Sequence, residues 1–158
     1  MRSHFQAPFT AVKRIATLTT IAVILAALAT ATATAKGGGA KLQLRKTSVG
    51  KILVNSKGFT LYAFTLDSRN HDACAAITNC LKAWPPVVTT GKPIAGKGVK
   101  KKLIGTIKLK NGVKQVTYAG RPLYTYIGDT HPAQTSFVNI LQFGGRWPAV
   151  NAAGGEVK

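Results

Sequence analysis

The chain is written twice. Gly58-Phe59-Thr60-Leu61-Tyr62-Ala63-Phe64-Thr65-Leu66-Asp67 aligns with Gly120-Arg121-Pro122-Leu123-Tyr124-Thr125-Tyr126-Ile127-Gly128-Asp129 at an offset of 62 residues, and Trp84-Pro85-Pro86-Val87 aligns with Trp147-Pro148-Ala149-Val150 at 63. Gly, Leu, Tyr, an aromatic, Asp, Trp, Pro and Val recur in one order. Repetition of this kind signals two copies of one supersecondary unit. A unit this short, made of short strands, buries too little surface alone, so the two copies are expected to share a core in a pseudo-twofold arrangement.

The local patterns are those of strands and hairpins. Leu103 to Leu109 alternates and is β-branched, Asn111-Gly112 is a hairpin turn signal, and Lys114 to Tyr118 returns. Ala119-Gly120-Arg121 turns again, and Leu123 to Ile127 reads as a third strand. In the first copy, Val49 to Val54, a turn at Asn55-Ser56-Lys57-Gly58 and Phe59 to Leu66 play the same parts. Leu61 and Ala63 point to one face, Tyr62 and Phe64 to the other, and both faces are apolar, which predicts a central strand covered on both sides. The segment Ala73 to Ala83 allows a helical turn. The expected class is therefore all-β: mostly antiparallel short strands and hairpins, two pseudo-symmetric repeats sharing one core, and one short helix.

The chain of 158 residues is long enough for one domain, and 46% apolar residues argue against disorder. Arg2, Lys13 and Arg14, an apolar run from Ile15 to Ala33 and the small-residue pattern Ala31-Thr32-Ala33-Thr34-Ala35 read as a secretory signal peptide over residues 1–35. No cysteine stands near that junction, so no lipid anchor is expected, and no transmembrane helix is retained once the signal is removed. Residues 36–46 read as a flexible lead containing Gly37-Gly38-Gly39, followed by a single domain over 47–158 with repeats at about 47–90 and 103–152. Cys74 and Cys80 in an exported chain default to a disulfide, the alternative being a metal or redox pair. C-x5-C lacks the C-x2-C spacing of zinc ribbons and thioredoxins.

Charge narrows the chemistry. Lys and Arg number 22 against four acids, Asp67, Asp72, Asp129 and Glu156, a net charge of +18 that falls to +15 without residues 1–35. Four carboxylates leave little for glycosidase pairs or calcium cages. Neither G-x-S-x-G nor H-E-x-x-H is present, no serine has a nucleophile context, and the single Met lies in the leader. The expectation is a protein that is not an enzyme. The basic residues cluster: Lys92, Lys97, Lys100, Lys101 and Lys102, then Lys108, Lys110 and Lys114. Lys108 and Lys110 share a face with Thr106, which should be solvated. Such a surface suits anionic envelope polymers or lipid head groups, and without an aromatic platform it does not suit specific nucleic-acid recognition.

Two readings of Tyr62/Asp67 and Tyr124/Asp129 stand side by side. In the structural one, buried phenols need partners and each Asp caps the turn after its strand. In the functional one, pseudo-symmetry brings the Asp residues together, and His71 and His131 complete a transition-metal set with Asp67 and Asp129. The His spacings differ between repeats, against a symmetric site. No cofactor is expected, with a transition metal or a non-covalently held haem as the alternative.

These residues carry a family resemblance. Tyr62-x4-Asp67 and Tyr124-x4-Asp129, with Phe64 and Tyr126 in the aromatic slot, Cys74 and Cys80 ahead of Trp84-Pro85-Pro86, and Phe143-Gly144-Gly145-x-Trp147 resemble the bacterial secreted-repeat family, described as predicted lipoproteins with a Tyr-x-aromatic-x-x-Asp motif. The resemblance spans about residues 48–152. It implies an extracytoplasmic bacterial protein and carries no molecular activity. The leading expectation is a non-catalytic binding module of the cell envelope. The alternative is a metal- or redox-linked accessory protein using the Tyr/Asp/His cluster.

Overall fold

The computed structural model describes residues 38–157, all within one unit of the chain. The expected signal peptide lies outside the described residues. Strand β1 (Lys41–Thr47) pairs antiparallel with β2 (Gly50–Val54). A 3-10 turn at Cys74–Ala76 and helix α1 (Cys80–Ala83) follow, then the short strands β3 (Val88–Thr89) and β4 (Ile94–Ala95). The second copy supplies β5 (Ile104–Lys108), β6 (Lys114–Tyr118), β7 (Arg121–Pro122), β8 (Ile140–Gln142) and β9 (Gly145–Trp147). The sheets are β2-β1-β4, β3-β6-β5 with β7 on β6, and the hairpin β8-β9. Every named pairing is antiparallel except β1 with β4.

The expected lead is a strand in part. Residues 41–46 lie in β1, with Leu42 fully buried and the backbone bonded to β2 and β4. The alternation in Lys41-Leu42-Gln43-Leu44-Arg45-Lys46 is the signal that the preceding glycines obscured. The two expected Tyr strands, Phe59 to Leu66 and Leu123 to Ile127, have no long ladder and stop short of their expected ends: Asp67 N–H donates to the Phe64 carbonyl at 3.1 Å and Asp129 N–H to the Tyr126 carbonyl at 3.2 Å, closing turns at Thr65-Leu66 and Ile127-Gly128. Each residue in turn meets a different short partner: Tyr62 bridges both Tyr124 and Ala149, and Tyr124 also bridges Pro86. Their expected two-sided burial holds. Leu61, Ala63 and Leu123 pack in one cluster with Leu42, Leu53 and Val116, while Tyr62, Phe64 and Tyr124 pack in another with both tryptophans and the cysteines.

A pseudo-twofold axis runs between the tyrosines. Tyr62 N–H donates to the Tyr124 carbonyl at 2.9 Å, and Tyr124 N–H returns the bond at 3.0 Å. Other bonds come in matching pairs: Ala63 N–H to Pro148 O (3.0 Å) with Thr125 N–H to Pro85 O (2.9 Å), and Leu53 N–H to Val150 O (2.8 Å) with Val116 N–H to Val87 O (2.7 Å). The Trp-Pro tail of each repeat is thus laid along the Tyr segment of the other. The copies are interlocked, which satisfies the backbone of strands that neither copy could pair alone.

Candidate functional site

The side chains at the axis are crossed in the same way. Tyr124 Oη donates to Asp67 Oδ2 at 2.9 Å, and Tyr62 Oη lies 3.2 Å from both oxygens of Asp129. Each phenol therefore reaches the carboxylate of the other repeat. Asp67 Oδ1 also accepts from Ala73 N–H at 2.8 Å, capping its own turn. The expected partners of the phenols are present, exchanged between copies, and the expected turn cap is present at Asp67; at Asp129 the following turn is held by Gln134 instead, whose Oε1 accepts from Thr130 N–H.

The aromatic slots and tryptophans form a ladder of four rings. Phe64 stacks on Trp147 at 4.2 Å, Trp147 on Trp84 at 3.9 Å and 4°, and Trp84 on Tyr126 at 4.2 Å. Tyr62 and Tyr124 close the sides edge-on, against Trp84 and Trp147 respectively. Offset and edge-to-face aromatic pairs add about 0.5–1.5 kcal/mol each beyond their buried area. Gln142, a residue that the repeat pattern did not single out, serves both indoles: its side-chain oxygen accepts from Trp84 Nε1 at 2.8 Å and its carbonyl from Trp147 Nε1 at 3.1 Å. The disulfide Cys74–Cys80 lies in the same cluster, its Cα atoms 5.4 Å apart.

Burial governs the titration of the crossed pairs. It pushes the Asp67 carboxyl up to about 7, against the downward pull of Ala73 N–H and the Tyr124 hydroxyl, and nearby Asp72 adds to the rise. Burial raises Asp129 to about 6, opposed by the Tyr62 hydroxyl and by His131. Both phenols are raised above their ordinary value by burial first and by the facing carboxylate second. Asp72 sits five residues beyond Asp67, and the 62-residue offset places Gln134 opposite it; both are buried. Asp72 Oδ1 accepts from Ala75 N–H at 2.8 Å, and Gln134 Oε1 accepts from Thr130 N–H at 2.8 Å, so the second turn residue of each repeat braces its own loop.

The four residues considered as metal ligands do not assemble. Asp67 and Asp129 each face a phenol, His71 and His131 are exposed, and among the described residues no three His, Cys, Asp or Glu side chains gather as a metal site. The crossing is the reason: it uses each carboxylate as an acceptor for the opposite tyrosine.

The lysines lie outside. Lys97, Lys100, Lys101, Lys102, Lys108, Lys110 and Lys114 are all exposed, as is Thr106 on the face shared with Lys108 and Lys110. Lys108 and Lys114 stand directly across from each other on β5 and β6. The ion pairs among the described residues are Arg121–Glu156 and Arg146–Glu156, both at 3.2 Å, so none involves a lysine.

These features define an extracytoplasmic β-domain of two interlocked repeats, stapled by one disulfide. The chain belongs to the family described as "secreted repeat of unknown function", whose model matches residues 43–88 and 105–151. No curated protein and no solved structure matched the chain. The disulfide fits an oxidising, extracytoplasmic location. Among the described residues no helix is long and apolar enough to cross a membrane.

Proposed function

We propose that the protein is a non-catalytic module of the bacterial cell envelope whose cationic face docks on phosphodiester-bearing envelope components, either anionic polymers or lipid head groups. One observation carries this reading: among the described residues no lysine has a carboxylate partner. Asp67 and Asp129 face phenols, Asp72 braces its loop, and Glu156 lies between two arginines. The cross-strand pair Lys108/Lys114 supports it further, because like charges directly opposite are destabilising unless a counter-charge relieves them.

The test is binding as a function of salt, on phosphatidylglycerol vesicles and on a soluble poly(glycerol phosphate). Lysines act as point charges, so affinity follows counter-ion release. About four contacts on a flexible chain give a slope near −3, so affinity falls roughly fiftyfold between about 50 and about 200 mM salt. Absence of salt-sensitive binding to both probes refutes the proposal, and the probe that is held identifies the source of phosphate.

A redox-linked accessory role is the second reading, and one observation favours it: each buried phenol donates to a carboxyl group raised towards neutral pH, which could take the proton if the tyrosine lost an electron. Voltammetry of wild type beside a Tyr62→Phe, Tyr124→Phe double variant tests it. A tyrosine wave that is pH-dependent and lost in the variant supports it; identical traces refute it.

A further inference from the structure

We infer that the phosphate-recognising centre of this surface is the cleft between Arg69 and Lys102, a deepening that rests on the polyanion reading above. The cleft has a volume of about 220 Å³ and is lined by Arg69, Asn70, Lys102, Gly105, Thr117 and Gly120 among others, with no carboxylate in its wall. It differs from its neighbour, which Arg69 also borders, because that second cleft contains Asp67 and Arg121, and Arg121 is already held by Glu156.

Three local features build the cleft. First, Arg69 is laid flat. Gly120 has φ +80, a left-handed value that favours glycine, and a Cβ there would come within 2.8 Å of Arg69 Cγ. Asn70 N–H donates to the Gly120 carbonyl at 2.7 Å, fixing the arginine's own turn against it. One guanidinium nitrogen reaches the Ala119 carbonyl at 3.4 Å, leaving the remainder of the planar fork for a bidentate anion. Second, Lys102 brings a second positive charge to the same cavity, on the 3-10 turn Lys101–Leu103. Third, Gly105 keeps the floor open. It stands across from Thr117 on the β5–β6 ladder, and a Cβ at 105 would lie 2.8 Å from Thr117 Oγ1. A glycine inside a strand often marks a place where a ligand approaches closely. A planar fork, a point charge and a hydroxyl around one polar cavity suit a phosphodiester group.

The experiment measures binding of the same two probes, poly(glycerol phosphate) and phosphatidylglycerol vesicles, to wild type and to Arg69→Lys, Arg69→Ala, Lys102→Ala and Gly105→Ala, with Lys57→Ala, an exposed lysine outside the basic cluster, as the reference for loss of one charge. Each variant's fold is checked by thermal melting. Arg69→Ala and Lys102→Ala are expected to lose about tenfold in affinity, and Lys57→Ala less than about twofold. Arg69→Lys keeps the charge and Gly105→Ala changes none, yet both are expected to lose at least about threefold. Should Gly105→Ala melt early, Arg69→Lys decides alone. Variants indistinguishable from Lys57→Ala, on a wild type that binds, overturn the Arg69 centre while leaving the polyanion reading intact. A wild type that binds neither probe overturns both.

Discussion

Removing one hydroxyl tests the crossed pairing. In Tyr124→Phe the ring keeps its edge-on contact with Trp147, 5.2 Å between centroids, and only the donor to Asp67 Oδ2 is lost. The cost depends on the charge of the acceptor. A hydrogen bond to an ionised group contributes about 1.5–3 kcal/mol and a neutral one about 0.5–1.5. Asp67 stands at about 7, so the variant should lose about 1 kcal/mol at about pH 5.5 and about 2 kcal/mol at about pH 8.5. At roughly 4 °C per kcal/mol for a domain of this size, Tm falls by about 4 °C in acid and about 8 °C in alkali. Wild type sets the baseline. Its carboxyls at about 7 and about 6 lie above the ordinary 3.8, so the folded state holds protons that the unfolded chain releases. The stability they supply is fully present below about pH 4 and is lost as pH rises through 6 and then 7. Because the hydroxyl pulls Asp67 down, its removal moves the later loss to higher pH. Double-mutant cycles read by calorimetry complete the test. Tyr124→Phe with Asp67→Asn, and Tyr62→Phe with Asp129→Asn, should couple by about 1 kcal/mol or more, whereas Tyr62→Phe with Asp67→Asn should be additive within about 0.5 kcal/mol. Coupling within a repeat and additivity across repeats would refute the crossed arrangement.

Three further outcomes follow from the interlock. Either repeat expressed alone, as 38–100 or 101–157, should lack a cooperative melt, because the Trp-Pro tail and the facing carboxylate come from the other copy; mixing the two pieces should restore one, detected by near-ultraviolet circular dichroism. The stack of Trp84 on Trp147 at 3.9 Å should give an exciton couplet that Trp147→Phe abolishes while the chain stays folded. Replacing both cysteines by alanine should cost roughly 2 kcal/mol, the small value expected of a seven-residue loop, read as a shift in denaturation midpoint.

The repeat made the architecture readable, because shared offsets mark equivalent positions and alternation marks faces. Leu61 and Tyr62 were separable from sequence for that reason, and the hairpin at Asn111-Gly112 announced itself: Asn111 Oδ1 accepts from Val113 N–H at 3.1 Å. The exchange of partners was not readable. Within-repeat and between-repeat pairing of Tyr with Asp leave the same sequence pattern, and only the placement of the Trp-Pro tails separates them. Gln142 stayed hidden because the two links from Asp to Trp differ between copies, and nothing in the first link corresponds to it. Asp72 and Gln134 could have been found by extending the offset five residues past the Asp, but an acid opposite an amide does not look like a repeat. Arg69 was the hardest to see. The cleft inferred beside it rests on Gly120 and Gly105, two positions in the other copy where a Cβ would crowd Arg69 and Thr117.

The scarcity of acid connects the interior to the surface. A protein with four carboxylates could have spread them among its lysines as surface ion pairs, each worth little. Here three sit at turns following the Tyr segments and near the C-terminus, and the remaining one, Asp72, accepts from Ala75 N–H in its own loop. Two of the four close the pseudo-twofold axis, where burial makes ionisation costly and a phenol is the partner that survives either protonation state. Had lysines been the partners, the axis would carry buried ion pairs, whose desolvation offsets much of their attraction. The choice of tyrosine therefore does two things at once. It lets the repeats lock without a buried cation, and among the described residues it leaves the lysine-rich face without a carboxylate partner, the condition on which the proposed docking rests.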